Sequence, residues 1–130
     1  MEFSRDTVQQ IAQAAIAIAG SDFDSLWAYF ERTDDATSSC VYTKGLDGKY
    51  YVYFAISDDL DAGFQRLHEE AREMNASTWS TATLTLRGTG DFAIDLGYED
   101  VSDFSRIGER SQNWRAEYLG PGVVPVEIDL

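Results

Sequence analysis

Apolar residues recur at helical spacing in two stretches of the chain, which predicts two amphipathic helices. The first stretch runs from Arg5 to Ala19 and places its apolar stripe at Val8, Ile11, Ala12, Ala15, Ile18 and Ala19. Ser4 is positioned to cap the start of this helix and Gly20 to end it. The second stretch follows the cap-like Ser57-Asp58-Asp59 and steps by four and three residues through Leu60, Phe64, Leu67, Ala71 and Met74.

The section between these helices predicts three strands. Leu26–Glu31, Ser39–Thr43 and Tyr50–Ile56 are rich in aromatic and β-branched residues. Asp47-Gly48 separates the second run from the third and favours a hairpin turn. The first run is apolar on both of its faces, which is typical of a strand in the middle of a sheet.

The C-terminal half predicts a second hairpin and a third helix. In Thr81–Leu86, alanine and leucine alternate with threonine, so this strand should bury one face and expose the other to water. Across the turn at Gly88–Gly90, the residues Phe92–Tyr98 alternate in the same way and should pair back. Arg106–Tyr118 indicates a short helix, and we expect residues 123–130 to form a tail.

Taken in order, these elements predict an α+β fold with the sequence α-β-β-β-α-β-β-α. Such an order favours an antiparallel sheet of about five strands with the helices packed on one face. The chain has 130 residues, of which 44% are hydrophobic, enough to build one core and too few for two. We therefore expect residues 1–130 to form a single domain.

The charge of the chain narrows the classes of partner. Ten Lys and Arg residues stand against 23 Asp and Glu residues, giving a formal net charge of −13. Nucleic acids and anionic membranes should be repelled, because binding to phosphates needs cationic side chains, whereas a basic protein would be attracted. No apolar run approaches the ~18 residues of a membrane span, and Cys40 is the only cysteine, so no internal disulfide can form. These features favour a cytoplasmic protein.

The sequence offers little catalytic chemistry. His68 is the only histidine and is expected at the edge of the core, and Cys40 falls in a predicted strand, where it should act as a small apolar residue. Carboxylate pairs such as Asp22 and Asp24 lack the ligand spacing of a calcium loop. We expect no enzyme activity, no cofactor and no metal. Two alternatives stay open: a non-catalytic adaptor or scaffold, and a hydrolase that uses a carboxylate pair.

Several segments of the C-terminal half resemble a known family. They are Trp79 ahead of the alternating strand, Gly90–Asp95, Tyr98–Asp100 and Trp114–Gly120. Together they resemble the YezG-like immunity proteins. Gly97 departs from the pattern, since the family tends to carry a larger residue there.

The resemblance extends over residues 5–120 and leaves residues 121–130 outside it. It implies a small cytoplasmic α+β protein that neutralises a polymorphic toxin, often a nuclease, delivered between competing bacteria. We expect the chain to be a monomer or weak homodimer that binds its toxin stoichiometrically and occludes it.

A candidate partner-binding surface follows the fifth predicted strand. Three acids cluster there beside a tyrosine, and the next helix adds an aromatic residue and a cation: the candidates are Tyr98, Glu99, Asp100, Asp103, Trp114 and Arg115. Irregular segments held by a rigid scaffold are common binding sites. The competing interpretations are that the acids are solvated or cap the next helix, and that Trp114 docks that helix on the sheet.

Overall fold

The computed structural model describes residues 4–33, 36–54, 57–74 and 78–129, and its elements follow the predicted order. Its helices and strands are α1 (Arg5–Ala19), β1 (Phe23–Arg32), β2 (Thr37–Gly45), β3 (Tyr50–Phe54), α2 (Asp58–Glu73), β4 (Thr81–Arg87), β5 (Phe92–Gly97), a 3-10 turn (Phe104–Arg106), α3 (Ile107–Tyr118) and β6 (Val126–Asp129). Residues 55 and 56 of the third predicted strand lie outside the described residues. The Ser57 hydroxyl accepts a hydrogen bond from Leu60 N at 3.1 Å, which confirms the predicted cap of α2. Ser4 makes no such side-chain bond at α1.

One sheet of six strands joins these elements in the order β5-β4-β1-β2-β3-β6. All neighbours are antiparallel except β3 and β6, which run parallel. The α+β class and the central position of β1 are confirmed. The strand number is six because residues 126–129, which we expected to be part of a tail, pair with β3. Four residues are too few for a periodic signal, so this strand is specified by its partner and not by its own pattern.

Both predicted hairpins are present. In the β2–β3 hairpin, Gly45 N donates to Lys49 O at 2.8 Å around the Asp47-Gly48 turn. In the β4–β5 hairpin, Arg87 N donates to Asp91 O at 2.8 Å, and Gly90 adopts a φ of 97°. A left-handed glycine in this place is usual for a three-residue hairpin loop.

Helices α1 and α2 cover one face of the sheet. The β1 side chains Leu26, Ala28 and Phe30 point into this layer and are fully buried. Phe30 stacks on Phe64 of α2, with ring centroids 4.7 Å apart. Burial of a leucine or phenylalanine side chain contributes about 1.5–3 kcal/mol. This layer has more buried residues than the cluster on the other face, so it forms the larger part of the core.

Helix α3 packs on the opposite face, which corrects the prediction that all helices share one face. Its second, smaller core contains Trp27, Tyr42, Val52, Trp114 and Leu119. The reason lies in β1, where Trp27 and Tyr29 alternate with the residues of the first core and need a cover of their own. The outward face assigned to β4 is covered as well: Thr81 and Thr83 are buried, not solvent-facing.

Candidate partner-binding site

Trp114 fixes α3 to the sheet. Its indole stacks on Tyr42 at a centroid distance of 4.5 Å and on Tyr118 at 4.9 Å. Its Nε1 donates a hydrogen bond to Thr83 Oγ1 at 3.0 Å, so the one polar atom of the ring is satisfied inside the core. With 6% of its surface exposed, Trp114 supports this face from beneath. The predicted docking role is confirmed.

A buried ion pair ties α3 to the end of β1. Arg110 Nε lies 2.9 Å from Glu31 Oε2 and Arg110 Nη2 lies 3.0 Å from Glu31 Oε1, a two-pronged contact. The side chains of Arg110 and Glu31 are only 10% and 2% exposed. The Tyr29 hydroxyl donates to the same Glu31 carboxylate. Burial and this bond raise the pKa of the Tyr29 phenol above its ordinary value, so the phenol stays a donor.

Sequence reasoning missed this ion pair. Glu31 and Arg110 stand 79 residues apart, and no local pattern links an acid at the end of a strand to an arginine so far along the chain. A signal was present in Tyr29, because a phenol two residues before an acid lies on the same strand face. The covering of that face by α3, however, had not been predicted.

The Arg110 guanidinium also holds the acidic segment before α3. It donates to the Asp103 carbonyl oxygen at 2.9 Å and to the Val101 carbonyl oxygen at 3.4 Å. Val101 itself is buried at 2% exposure and anchors the segment from below. Residues 98–103 are therefore attached to the core by the Val101 side chain and by the carbonyl groups of Val101 and Asp103.

Two of the candidate acids accept local backbone hydrogen bonds, and one of them, Asp103, caps the 3-10 turn that precedes α3. Asp100 Oδ1 accepts from Ser102 N at 2.9 Å, and Asp103 Oδ1 accepts from Ser105 N at 3.0 Å at the start of the 3-10 turn. Hydrogen bonds from these serines hold the pKa of both carboxyl groups below the usual range. Both groups are thus ionised at neutral pH while remaining exposed.

The remaining candidates divide between two sides of α3. Tyr98 is 57% exposed and Glu99 is exposed, and both lie with the other acids at the end of β5. Arg115 is half-buried on the β2 side, where its guanidinium lies 5.7 Å from the centre of the Tyr42 ring. The structure therefore brings Tyr98, Glu99, Asp100 and Asp103 together and separates Arg115 from them. Their role in partner binding stays a prediction.

A cleft runs between α3 and the β4–β5 hairpin. One part encloses about 460 Å³, and an adjoining part of about 570 Å³ continues toward Lys44 and Arg87. Tyr118 stands between the two parts and donates to Asp95 Oδ2 at 2.9 Å; burial and this bond raise the pKa of Tyr118 to about 12. We call this region the acidic cleft, for the exposed carboxylates at its wall: Asp24, Asp91, Asp95, Glu99 and Glu117. Among the described residues, none of these five belongs to an ion pair within 4.0 Å.

Gly97 shapes the floor of the acidic cleft. It pairs with Thr81, and a Cβ at this position would clash with Thr81 Oγ1. The absence of a side chain at this position thus leaves room for a buried threonine beneath the cleft.

His68 and Cys40, the two residues that could form part of a nucleophilic catalytic site, lie on opposite sides of the sheet. His68 on α2 is buried beside Trp79, with its Nε2 3.4 Å from Arg32 Nη1. Cys40 is half-buried against the α3-side core, and burial raises the pKa of its thiol. The sheet between them prevents a direct contact. Within residues 4–33, 36–54, 57–74 and 78–129, no three His, Cys, Asp or Glu side chains are grouped for a metal ion, and no helix has the length and apolarity to cross a membrane.

Comparison of the sequence with those of known proteins identifies its family. A sequence model described as "Immunity protein YezG-like" matches residues 13–128, and so includes most of the segment that we expected to lie outside the resemblance. A protein named Immunity protein YezG from Bacillus spizizenii is 30% identical, over 88% of this chain and 81% of its own length. A protein of the same name from Bacillus subtilis is 26% identical, over 96% of this chain and 92% of its own length. This chain therefore belongs to the YezG-like immunity protein family.

Proposed function

We propose that this protein neutralises a cognate bacterial toxin by forming a stoichiometric complex through the α3 face of its sheet. The observation that carries the proposal is the acidic cleft: exposed carboxylates on a surface whose supporting residues are fixed by buried contacts. Two relatives of this chain are named as immunity proteins. Occlusion requires a surface and no catalytic group, which agrees with the separation of His68 and Cys40.

The charge of this face favours a toxin with a basic surface. The two arginines at the start of α3 are engaged internally, Arg110 with Glu31 and Arg106 with Glu109 at 3.0 Å. The carboxylates of the acidic cleft are not neutralised in this way. A basic groove that binds nucleic acid would be attracted to such a face, so a nuclease-type toxin fits the chemistry.

Rigid support of the acidic segment should aid binding. A segment that is already ordered loses less conformational entropy when a partner docks than a mobile one does. The contacts of Arg110 and Val101 provide this order for residues 98–103. Long-range charge then raises the rate of encounter.

The test requires a candidate toxin, for which we would take the C-terminal domain of a large protein encoded by a gene neighbouring that of this chain. Expression of that domain alone should arrest bacterial growth, and co-expression of this chain should restore it. The two purified proteins should elute together in size-exclusion chromatography, with a mass corresponding to one copy of each. Failure of the proteins to associate, or growth rescue without association, would contradict the proposal.

Neutralising the acidic segment should slow toxin association with little effect on stability. The variant is Glu99→Gln, Asp100→Asn and Asp103→Asn. Asparagine retains a side-chain oxygen that can accept the bonds from Ser102 and Ser105, so both local hydrogen bonds persist. We expect the association rate to fall about three- to tenfold at low salt and its salt dependence to weaken, because peripheral charges act mainly on association.

A matched control removes three exposed carboxylates elsewhere, at Asp22, Asp59 and Glu73. It changes the net charge by the same amount but leaves the segment before α3 intact. Association rates measured by surface plasmon resonance at two salt concentrations separate the two variants. Equal slowing by both would show that only overall charge matters, and would remove this segment from the binding surface.

A further inference from the structure

Strand β5 forms an open edge of the sheet. Within the described residues it is hydrogen-bonded to β4 alone. Arg87 N donates to Asp91 O, and hydrogen-bonded pairs alternate along an antiparallel ladder, so the backbone groups of Ala93 and Asp95 point toward β4. The N–H and C=O groups of the intervening residues point away from the sheet: Phe92, Ile94 and Leu96.

This edge lacks most of the usual protection against strand pairing. Natural edge strands are commonly blunted by charged side chains, especially lysine, by proline, by a bulge or by very short length. Residues 92–97 contain neither lysine nor proline, their pairing with β4 runs without a register shift, and Asp95 is their one charged residue. The opposite edge is more strongly protected, since β6 has only four residues and two of them, Glu127 and Asp129, are acids. Strand β5 is thus the edge that is suited to receive another strand.

The two sides of β5 differ in chemistry. On the α3 side, Asp91 and Asp95 belong to the acidic cleft. On the helix side, an apolar groove of about 290 Å³ lies between α1 and the hairpin, with Val8, Ala12 and Phe92 in its wall. Phe92 is 55% exposed at this groove. A strand added at the edge would direct alternate side chains into these two environments.

We propose that β5 receives an extended segment of the toxin, in which apolar and basic side chains alternate. The apolar side chains would enter the groove beside α1 and the basic ones would face Asp91 and Asp95. This inference rests on the proposed function and specifies how the partner is held. A second copy of this chain is a poorer occupant, because antiparallel pairing of two β5 strands would bring the Asp91 and Asp95 side chains of both copies onto one face.

Amide hydrogen exchange tests the backbone pairing directly. In the free protein, the amides of Phe92, Ile94 and Leu96 should exchange rapidly, whereas those of Ala93 and Asp95 should be protected. Binding of the toxin's C-terminal domain should protect the first three amides by about tenfold or more. A complex that forms without this protection would overturn the inference and leave the proposed function standing, and the absence of any complex would overturn both. Protection that rises with the concentration of the free protein would assign the edge to a second copy instead.

A pair of variants separates the backbone of Phe92 from its side chain. Phe92→Ala keeps the outward N–H group, and Phe92→Pro removes it without breaking the ladder to β4, because proline is tolerated on the solvent side of an edge strand. We expect Phe92→Pro to bind the toxin domain about five- to tenfold more weakly than Phe92→Ala, since one backbone hydrogen bond is lost. Circular dichroism melts should show both variants folded. Equal affinities of the two folded variants would overturn the inference.

Discussion

Replacing Arg110 with methionine should lower the free energy of unfolding by about 3–5 kcal/mol, because the Glu31 carboxylate would be left buried without its counter-charge. Glu31 is 2% exposed, and Arg110 provides both of its charged hydrogen bonds. The Tyr29 hydroxyl would be its one remaining donor in this network. Urea unfolding followed by tryptophan fluorescence measures the loss.

Two controls identify the buried charge as the cause. Adding Glu31→Gln to Arg110→Met removes the stranded charge and keeps an acceptor for Tyr29, so most of the stability should return. Arg106→Met breaks a pair with Glu109 in which both side chains are more than half exposed, and it should change stability far less. An Arg110→Met variant that unfolds at the same urea concentration as Arg106→Met would show that the Glu31–Arg110 pair is not buried as described.

The loss of Arg110 should also affect the proposed binding surface. Its guanidinium holds the carbonyl groups of Val101 and Asp103, so residues 98–103 would lose part of their support. In the double variant with Glu31→Gln the fold recovers but these two contacts do not. Residual weakening of toxin binding in that variant would therefore measure the contribution of an ordered acidic segment.

Most secondary structure could be predicted because the relevant signals are local. The helical stripe of Arg5–Ala19 gave the observed bounds of α1, and the cap at Ser57 located the start of α2. The alternation in β4 correctly assigned Leu84 and Thr83 to opposite faces of the strand. Periodicity of this kind depends only on neighbouring residues, so one sequence is sufficient to reveal it.

The features that were predicted wrongly depend on contacts between elements that are distant in the sequence. The apolar face formed by Trp27 and Tyr29 was recognised on β1, but the pattern does not specify which helix covers it. The short, mostly polar α3 buries one of its own residues, Trp114, so its periodicity was weak. Because α3 was assigned to the wrong face, Thr83 looked solvent-exposed, and both the acidic cleft and the Glu31–Arg110 pair remained hidden.

The placement of the candidate residues could be predicted only in part, for the same reason. The clustering of the acids after β5 could be identified, since an irregular segment rich in carboxylates is recognisable locally. The cleft residues Asp95 and Glu117 could not, because they approach each other only through the docking of α3. Residue type thus predicts a charged surface, and the tertiary arrangement determines its shape.

Removal of the Trp114 side chain should be comparably severe for the second core. Trp114→Ala should cost about 3–5 kcal/mol through lost burial and the cavity that remains. It would also remove the rings that stack on Tyr42 and Tyr118 and the donor that satisfies Thr83. Tyr98→Ala is the matched control, because Tyr98 is also aromatic but 57% exposed, and it should have little effect on stability.

The loss caused by Trp114→Ala should be concentrated on the α3 side of the sheet. Helix α3 packs in the smaller core, so its amides should exchange faster than those of α1 and α2, which pack in the larger core. A cycle of Trp114→Phe with Thr83→Val then isolates the indole hydrogen bond, for which we expect a coupling of about 0.5–1.5 kcal/mol. If Trp114→Ala and Tyr98→Ala unfolded at the same urea concentration, or if exchange increased equally in all three helices, α3 would not be anchored by Trp114. The cleft between α3 and β5 would then lose its structural basis as a toxin-binding surface.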